Sequence, residues 1–189
     1  MKTQQPIAVT LGALLLVGAL PLAADASEAP EARSHVTENG NTVTVERERI
    51  EGENGGRAVR RDVTVSDAEG EVLGQGRNVR YETADGDRGR ANARRWTDAD
   101  GNTRTATRAG RVTEEGDVAR RRARTVRDEN GEVVRRGVDR AHRDADGGGA
   151  AVQRRYRQGE NGVAAGRRIA RGDGQGNRSV RTQRARRPN

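Results

Sequence analysis

Residues 95–107 read RWTDADGNTRTAT, a polar turn sequence between two segments rich in Thr and Arg. An Asp such as Asp98 opens a turn by accepting hydrogen bonds from its own backbone, and a Gly such as Gly101 takes a positive φ at no steric cost. The stretch therefore predicts a type I turn that is closed by a left-handed glycine and joins two strands.

The same turn signal recurs along the chain with a nearly constant period. Ten glycines that follow a polar residue are separated by 15, 15, 16, 15, 15, 15, 16, 15 and 14 residues. These glycines are Gly40, Gly55, Gly70, Gly86, Gly101, Gly116, Gly131, Gly147, Gly162 and Gly176. Such regularity predicts an internal repeat of about ten units.

The segments between the turns have the composition of β-strands. Residues 41–50, 57–65 and 117–126 are rich in Val, Thr and Arg, and β-branched residues favour strands over helices. One strand per period and a reversing turn predict an all-β fold, an antiparallel meander of about ten 15-residue hairpin repeats. A solenoid is the second choice, because each of its coils needs more chain.

The composition predicts a thin core and partial disorder. Only 31% of the residues are hydrophobic and 2% are aromatic, Phe and Cys are absent, and 34% are charged. Such a chain buries too little apolar surface to offset the entropy of ordering. Stability should therefore depend on the turns and on cross-strand pairs of Arg with Asp or Glu, and should fall with salt. A largely disordered polyampholyte without a specific ligand is the alternative.

A second column of residues accompanies the turns. The residue five positions before each turn glycine is mostly large, apolar or aromatic in the first eight units. The column reads His35, Ile50, Val65, Tyr81, Trp96, Arg111, Val126, His142, Arg157 and Arg171. We expect these residues to stack as a stripe near one edge of the sheet. Strand alternation places Arg120, Arg122 and Arg124 on the face of Val126, so the centre of that face should consist of guanidinium groups.

The stretch Trp96-Thr97-Asp98-Ala99-Asp100-Gly101-Asn102-Thr103 resembles the Asp-Gly turns of YD-repeat (Rhs-type) secreted proteins. It also resembles exported bacterial proteins with TDADGNT-like hairpins. The resemblance implies a β-strand meander that serves as a shell or surface. The chain departs from the family in lacking its Tyr-Asp dipeptide, for which Tyr81-Glu82 is the nearest match, and in having a shorter period.

The first 26 residues have the features of an export signal. Lys2 forms a short basic region, residues 7–22 are apolar, and Ala24 and Ala26 are small residues at the positions that a signal peptidase reads. We expect cleavage after Ala26, or else after Ala29, and a periplasmic or extracellular protein. No stable membrane span is expected after cleavage.

The net charge of +8 is concentrated towards the C-terminus. Residues 147–189 contain 11 Arg against only Glu160 and Asp173, whereas residues 27–146 contain 24 Arg and 25 acidic residues. The expected organisation is a signal peptide (1–26), a flexible N-terminus (27–34), charge-balanced hairpin repeats (35–146), and looser Gly- and Arg-rich repeats that end in a basic arm (147–189).

The basic arm is the predicted binding site. Guanidinium groups donate paired hydrogen bonds to phosphates and carboxylates. We expect contact with envelope or extracellular polyanions such as lipopolysaccharide, acidic glycan or extracellular DNA, weakened by salt. The predicted polyanion-binding residues are Arg167, Arg168, Arg171, Arg178, Arg181, Arg184, Arg186 and Arg187. A solvated tail without a partner is the alternative, and self-association through sheet edges stays open.

The acidic turns do not complete a known calcium loop. An EF-hand needs oxygen ligands at its first and twelfth positions. With Gly101 at the sixth position, Trp96 and Thr107 occupy those places. Weak calcium sites between adjacent turns are the remaining alternative, and we expect no metal and no cofactor.

No motif in the sequence indicates catalysis. Asp98 and Asp100 form a carboxylate pair, but the chain has few apolar residues with which to build the pocket that raises a catalytic pKa. His35 and His142 fit surface or packing positions better than ligand positions. We therefore expect a non-enzymatic protein, with a hydrolase that uses the turn carboxylates as the last alternative.

Overall fold

The computed structural model describes residues 30–52, 55–159 and 162–188, together with the short strand Ala24–Asp25. The predicted signal peptide otherwise lies outside the described residues. In the part of the chain that is described, every regular element is a β-strand, and no helix could cross a membrane. The strands are β1 (Ala24–Asp25), β2 (Glu31–Val36), β3 (Thr42–Gly52), β4 (Arg57–Ser66), β5 (Val72–Glu82), β6 (Arg88–Thr97), β7 (Thr103–Val112), β8 (Val118–Arg127), β9 (Val133–Arg143), β10 (Gly148–Gly159), β11 (Gly162–Asp173) and β12 (Arg178–Arg187).

The strands form one antiparallel meander sheet. From β3 to β12 each strand pairs with the next strand in the chain. β2 and β1 lie along the same side of β3, where β2 pairs with residues 42–47 and β1 with Glu51 and Gly52. The predicted all-β meander is therefore confirmed, and the solenoid alternative is wrong because each turn reverses the chain. Residues 31–34, which the sequence predicts to be flexible, belong to β2.

Turn chemistry explains where each strand ends. All ten repeat glycines have a positive φ, from 77° at Gly101 to 101° at Gly162. In the turn after β6 the Gly101 N–H donates to the Asp98 carbonyl oxygen at 3.0 Å, and Asp98 Oδ1 accepts the Asn102 N–H at 2.9 Å. Asp98 thus closes its own turn, as the sequence predicts, and the hydroxyl of Thr83 does the same in the preceding turn.

The sheet is a single layer with almost no core. Contacts run between strands that are neighbours in the sheet, and Ala58 and Ala93 are the buried hydrophobic residues of the described chain. The predicted thin core is confirmed. Backbone pairing, the turns and cross-strand side-chain pairs must therefore supply most of the stability.

The predicted stripe of large residues is wrong as a single stripe. Successive turns of a meander lie at opposite ends of the strands, so equivalent positions alternate between the two turn sides. Val65, Trp96 and Val126 share one face near one turn side. Tyr81 and His142 lie on the other face near the other turn side. The column forms two separate rows.

Candidate functional site

One face of the sheet, here termed the arginine face, carries a dense group of guanidinium groups at its centre. Strand alternation and antiparallel pairing place alternate residues of β6, β7 and β8 on this face. None of those face positions is acidic. The arginines that these three strands contribute to it are Arg88, Arg90, Arg94, Arg104, Arg108, Arg120, Arg122 and Arg124. All of them are exposed.

Most of these central arginines have no carboxylate partner in the described part of the chain. Arg88 pairs with Glu82 at 3.3 Å, and Arg104 pairs with Asp98 at 2.7 Å. The other six form no ion pair with a described residue. Arg108 and Arg122 even occupy directly opposed cross-strand positions, an arrangement of like charges that destabilises a sheet. The centre of the arginine face thus has positive charge that a ligand could neutralise.

The arginine face borders a broad, open depression that runs along the sheet. It forms the main lining of a cleft of about 2790 Å³ that is bordered by strands from β3 to β12. Trp96 lies in this lining at the end of β6, with 40% of its surface exposed. Several guanidinium groups therefore border the same volume, which suits a ligand with many negative charges.

The predicted C-terminal binding residues are divided between the two faces. Residues 178–187 form β12, whose backbone pairs with β11 from Gly172 opposite Arg178 to Val163 opposite Arg187. The segment predicted as a basic arm is therefore an edge strand, because β11 offers it an unpaired backbone edge. Its members on the arginine face are Arg168, Arg178, Arg184 and Arg186, and those on the opposite face are Arg167, Arg171, Arg181 and Arg187.

Sequence reasoning did not identify the centre of the arginine face as a candidate binding site. Arg120, Arg122 and Arg124 were predicted to share a face, and the register confirms it, but net charge per segment pointed to the C-terminus instead. The signal that could have found the site is strand parity. The acidic residues that balance the charge of the central repeats lie largely in the turns, whereas the arginines lie in the strands.

The opposite face of β3, β4 and β5 carries paired charges. Arg77 donates to both carboxylate oxygens of Asp62, at 2.7 and 3.0 Å. Arg60 contacts Asp62 at 3.1 Å and Glu48 at 3.2 Å. The pairs Arg77–Asp62 and Arg60–Glu48 are the cross-strand Arg–carboxylate contacts that the composition predicts. Together with the contact of Arg60 and Asp62 within β4, they leave little free charge on that part of the sheet.

Asp87 joins two turns on the same side of the sheet. It is only 9% exposed, forms an ion pair with Arg111, and accepts the Glu114 N–H at 3.1 Å. The hydrogen bond from Arg111, supported by the one from Glu114, holds the pKa of Asp87 below its usual range. Two repeats later, 30 residues along the chain, Asp117 Oδ1 accepts the Ala145 N–H at 2.9 Å in the same manner. Asp87 and Asp117 therefore each connect two turns that lie two strands apart.

The same turn side brings together three groups that could hold a metal ion. Ligand atoms of Asp117, His142 and Asp144 lie within 4.8 Å of one another. His142 Nε2 lies 2.5 Å from Asp144 Oδ1, and both side chains are about half exposed. The sequence predicts that His142 is a surface or packing residue. The proximity of His142 to Asp117 could not be predicted, because it arises from turns that alternate between the two sides of the sheet. Asp117 Oδ1 already accepts a backbone hydrogen bond.

Asp98, one of the two carboxylates considered for a hydrolase, is engaged in turn structure. Asp98 Oδ2 accepts from Arg104 Nε at 2.7 Å, and Oδ1 accepts from Asn102. Desolvation alone would raise the pKa of Asp98, but the hydrogen bonds from Arg104 and Asn102 outweigh it and hold the pKa below its usual range. A carboxylate held ionised in this way suits an ion pair and a turn.

No protein-family model, curated protein or solved structure matches the chain. The geometry and charge of the sheet therefore carry the functional interpretation.

Proposed function

We propose that the protein is an exported, non-enzymatic repeat protein that binds polyanions through the arginine face. The observation that supports this most directly is the group of six exposed arginines on β6–β8 that form no ion pair with the described residues. The C-terminal strand adds Arg178, Arg184 and Arg186 to the same face. The binding surface proposed from the sequence thereby extends from the C-terminal strand to the middle of the sheet.

The chemistry of guanidinium favours anionic oxygen ligands. Each group is planar, permanently charged, and able to donate two parallel hydrogen bonds to a phosphate, sulfate or carboxylate. Binding of this kind is electrostatic and falls as salt rises. Lipopolysaccharide phosphates, acidic glycans and extracellular DNA all present such groups, and an exported protein would meet them in the envelope or outside the cell.

Export belongs to the same proposal and rests on residues 1–26. Their apolar stretch and small residues are those of a signal peptide. The absence of Cys from the whole chain is compatible with an oxidising compartment, since the fold requires no disulfide there.

Matched triple variants of the full chain test the role of the face. One variant carries Arg108→Gln, Arg120→Gln and Arg122→Gln on the arginine face, and its control carries Arg121→Gln, Arg136→Gln and Arg140→Gln on the opposite face. Both lose the same charge from β7–β9. We expect the first to bind immobilised heparin about tenfold more weakly than the control at low salt. A polyampholyte without a specific ligand would instead show equal, weak retention for both variants, and that result would contradict the proposal.

A further inference from the structure

A regular row of arginines crosses the arginine face. Arg94, Arg124, Arg155 and Arg184, here termed the arginine ladder, lie in one cross-strand row on β6, β8, β10 and β12. The strands between them contribute Ala106, Gly137 and Gly166 to the same row. The row therefore alternates strictly between a guanidinium residue and a very small one.

The alternation gives the ladder a defined charge spacing. Neighbouring strands lie about 4.8 Å apart, so successive rungs are separated by roughly 10 Å at the backbone. The small residues leave room for the long side chains between the rungs. The Cδ atom of Arg155 lies only 3.4 Å from the place where a Cβ on Gly137 would stand. A Cβ there would be in van der Waals contact with Arg155, so a longer side chain would compete with it for the same space.

Three of the four rungs are free to bind a ligand. Arg94, Arg124 and Arg184 are exposed and form no ion pair with the described residues. Arg155 contacts Asp139 Oδ1 at 2.6 Å. An anion at that rung has to compete with an internal carboxylate, so the fourth rung is weaker than the others.

The row beside the ladder mixes charged and uncharged hydrogen-bonding groups, and across β6 to β12 it reads Asn92, Arg108, Arg122, Asp139, Gln153, Arg168 and Thr182. Asn92, Gln153 and Thr182 lie on the arginine face two residues from the ladder positions of β6, β10 and β12. Amide and hydroxyl groups in that position can bind hydroxyl groups of a ligand. Aromatic side chains, which stack on the bases of single-stranded nucleic acid, are almost missing. Trp96 is the one aromatic residue on this face, since Tyr81 and Tyr156 lie on the other.

We propose that the arginine ladder binds a linear acidic polysaccharide that runs across the strands and presents one anionic group for every two strands. This inference rests on the proposed function of the arginine face and names its ligand class. A spacing of two strands is close to the length of a disaccharide unit, whereas a DNA duplex carries one phosphate about every 3.4 Å along each strand. The ladder binds the anionic groups, and the neighbouring amide and hydroxyl groups bind sugar hydroxyls.

Three sets of substitutions in the full chain separate this inference from general polyanion binding. Each set removes three arginines, one each from β6, β8 and β12. The ladder set is Arg94→Gln, Arg124→Gln and Arg184→Gln. The same-face set is Arg90→Gln, Arg120→Gln and Arg186→Gln. The opposite-face set is Arg95→Gln, Arg121→Gln and Arg181→Gln. The probes are a hyaluronate oligosaccharide, which has one carboxylate per disaccharide, and single-stranded and duplex DNA of similar length.

We expect the ladder set to weaken hyaluronate binding by about tenfold, the same-face set by less than about threefold, and the opposite-face set hardly at all. Equal losses for the ladder and same-face sets would overturn the proposed role of the arginine ladder. The proposal that the arginine face binds polyanions would remain intact. If the ladder set weakened DNA binding by the same factor as hyaluronate binding, the assignment to polysaccharide would be wrong. Equal losses for all three sets, or no binding of any probe by the unaltered protein, would refute the proposed function itself.

Circular dichroism of each variant reports whether the sheet is intact. Where a triple variant fails to fold, the single substitutions Arg124→Gln and Arg120→Gln compare a ladder and a non-ladder arginine of the same strand. We then expect a two- to threefold difference in hyaluronate affinity as a rough value, and equal affinities would overturn the ladder.

Discussion

The positive φ of the repeat glycines predicts that a turn glycine and a strand glycine respond oppositely to alanine. Gly131 has a φ of 82°, and a Cβ added there would meet no atom within 4 Å. The cost of Gly131→Ala is therefore the backbone cost alone, about 1–2 kcal/mol for an L-residue in the left-handed region. Gly110 lies in β7 without a positive φ, and its added Cβ would approach the Ala119 carbonyl oxygen at 3.8 Å, an ordinary contact.

Gly110→Ala should be neutral or stabilise the protein by about 0.5–1 kcal/mol, because Ala loses less conformational entropy than Gly in a strand. The two variants thus differ by roughly 2 kcal/mol, which corresponds to about 4–8 °C in Tm for a domain of this size. Thermal melts followed by far-UV circular dichroism at fixed low salt measure the difference. Equal Tm values for the two variants would show that the left-handed turns do not limit the stability of the sheet.

Three further predictions follow from the charge pairs. Asp139→Asn removes the carboxylate partner of Arg155, so hyaluronate affinity should rise by roughly two- to fivefold in a fluorescence titration; an unchanged affinity would mean that Arg155 does not reach the ligand. Asp87→Asn should lower Tm whereas Asp85→Asn in the same turn should not. The hydrogen bond from Arg111 lowers the pKa of Asp87 in the folded state. The contribution of the Asp87 carboxylate to stability is therefore present at neutral pH and is lost as pH falls below about 4. The Tm of the Asp87→Asn variant should accordingly decline less steeply in acid than that of the unaltered protein. The logarithm of hyaluronate affinity should fall linearly with the logarithm of salt concentration, and the ladder set should make this fall less steep because it removes three guanidinium contacts; an identical slope would exclude the ladder from the contacts.

Local chemistry made the fold predictable. A polar residue followed by Gly specifies its turn within a few residues, and ten such turns define the strands between them whether or not the chain has a core. The face of Arg120, Arg122 and Arg124 was equally predictable, because side chains alternate along any strand. These features depend on neighbours in the sequence, and each is present in the structure.

The arginine ladder, and the division of the column of large residues into two rows, were not predictable from the 15-residue period alone. Successive repeats run in opposite directions, so equivalent residues fall at alternate turn sides, and the repeat that preserves both face and direction spans two strands. Arg94, Arg124 and Arg155 are accordingly 30 and 31 residues apart. The C-terminal strand escaped prediction for a different reason. Its composition resembles that of a solvated tail, and only the unpaired edge of β11 gives its backbone a partner.

The charge of the arginine face links ligand binding to the stability of the sheet. Like charges occupy opposed cross-strand positions at Arg108 and Arg122, and again at Arg80 and Arg90, and such pairs destabilise a sheet that has almost no core to compensate. A polyanion that binds only the folded sheet removes this repulsion. At a free concentration 100 times its Kd it stabilises the fold by about 2.7 kcal/mol, which raises Tm by roughly 5–10 °C. Thermal melts with increasing hyaluronate measure the shift. Binding without any rise in Tm would mean that the unfolded chain binds hyaluronate as tightly as the folded sheet does. Binding would then depend on charge density and not on the fold.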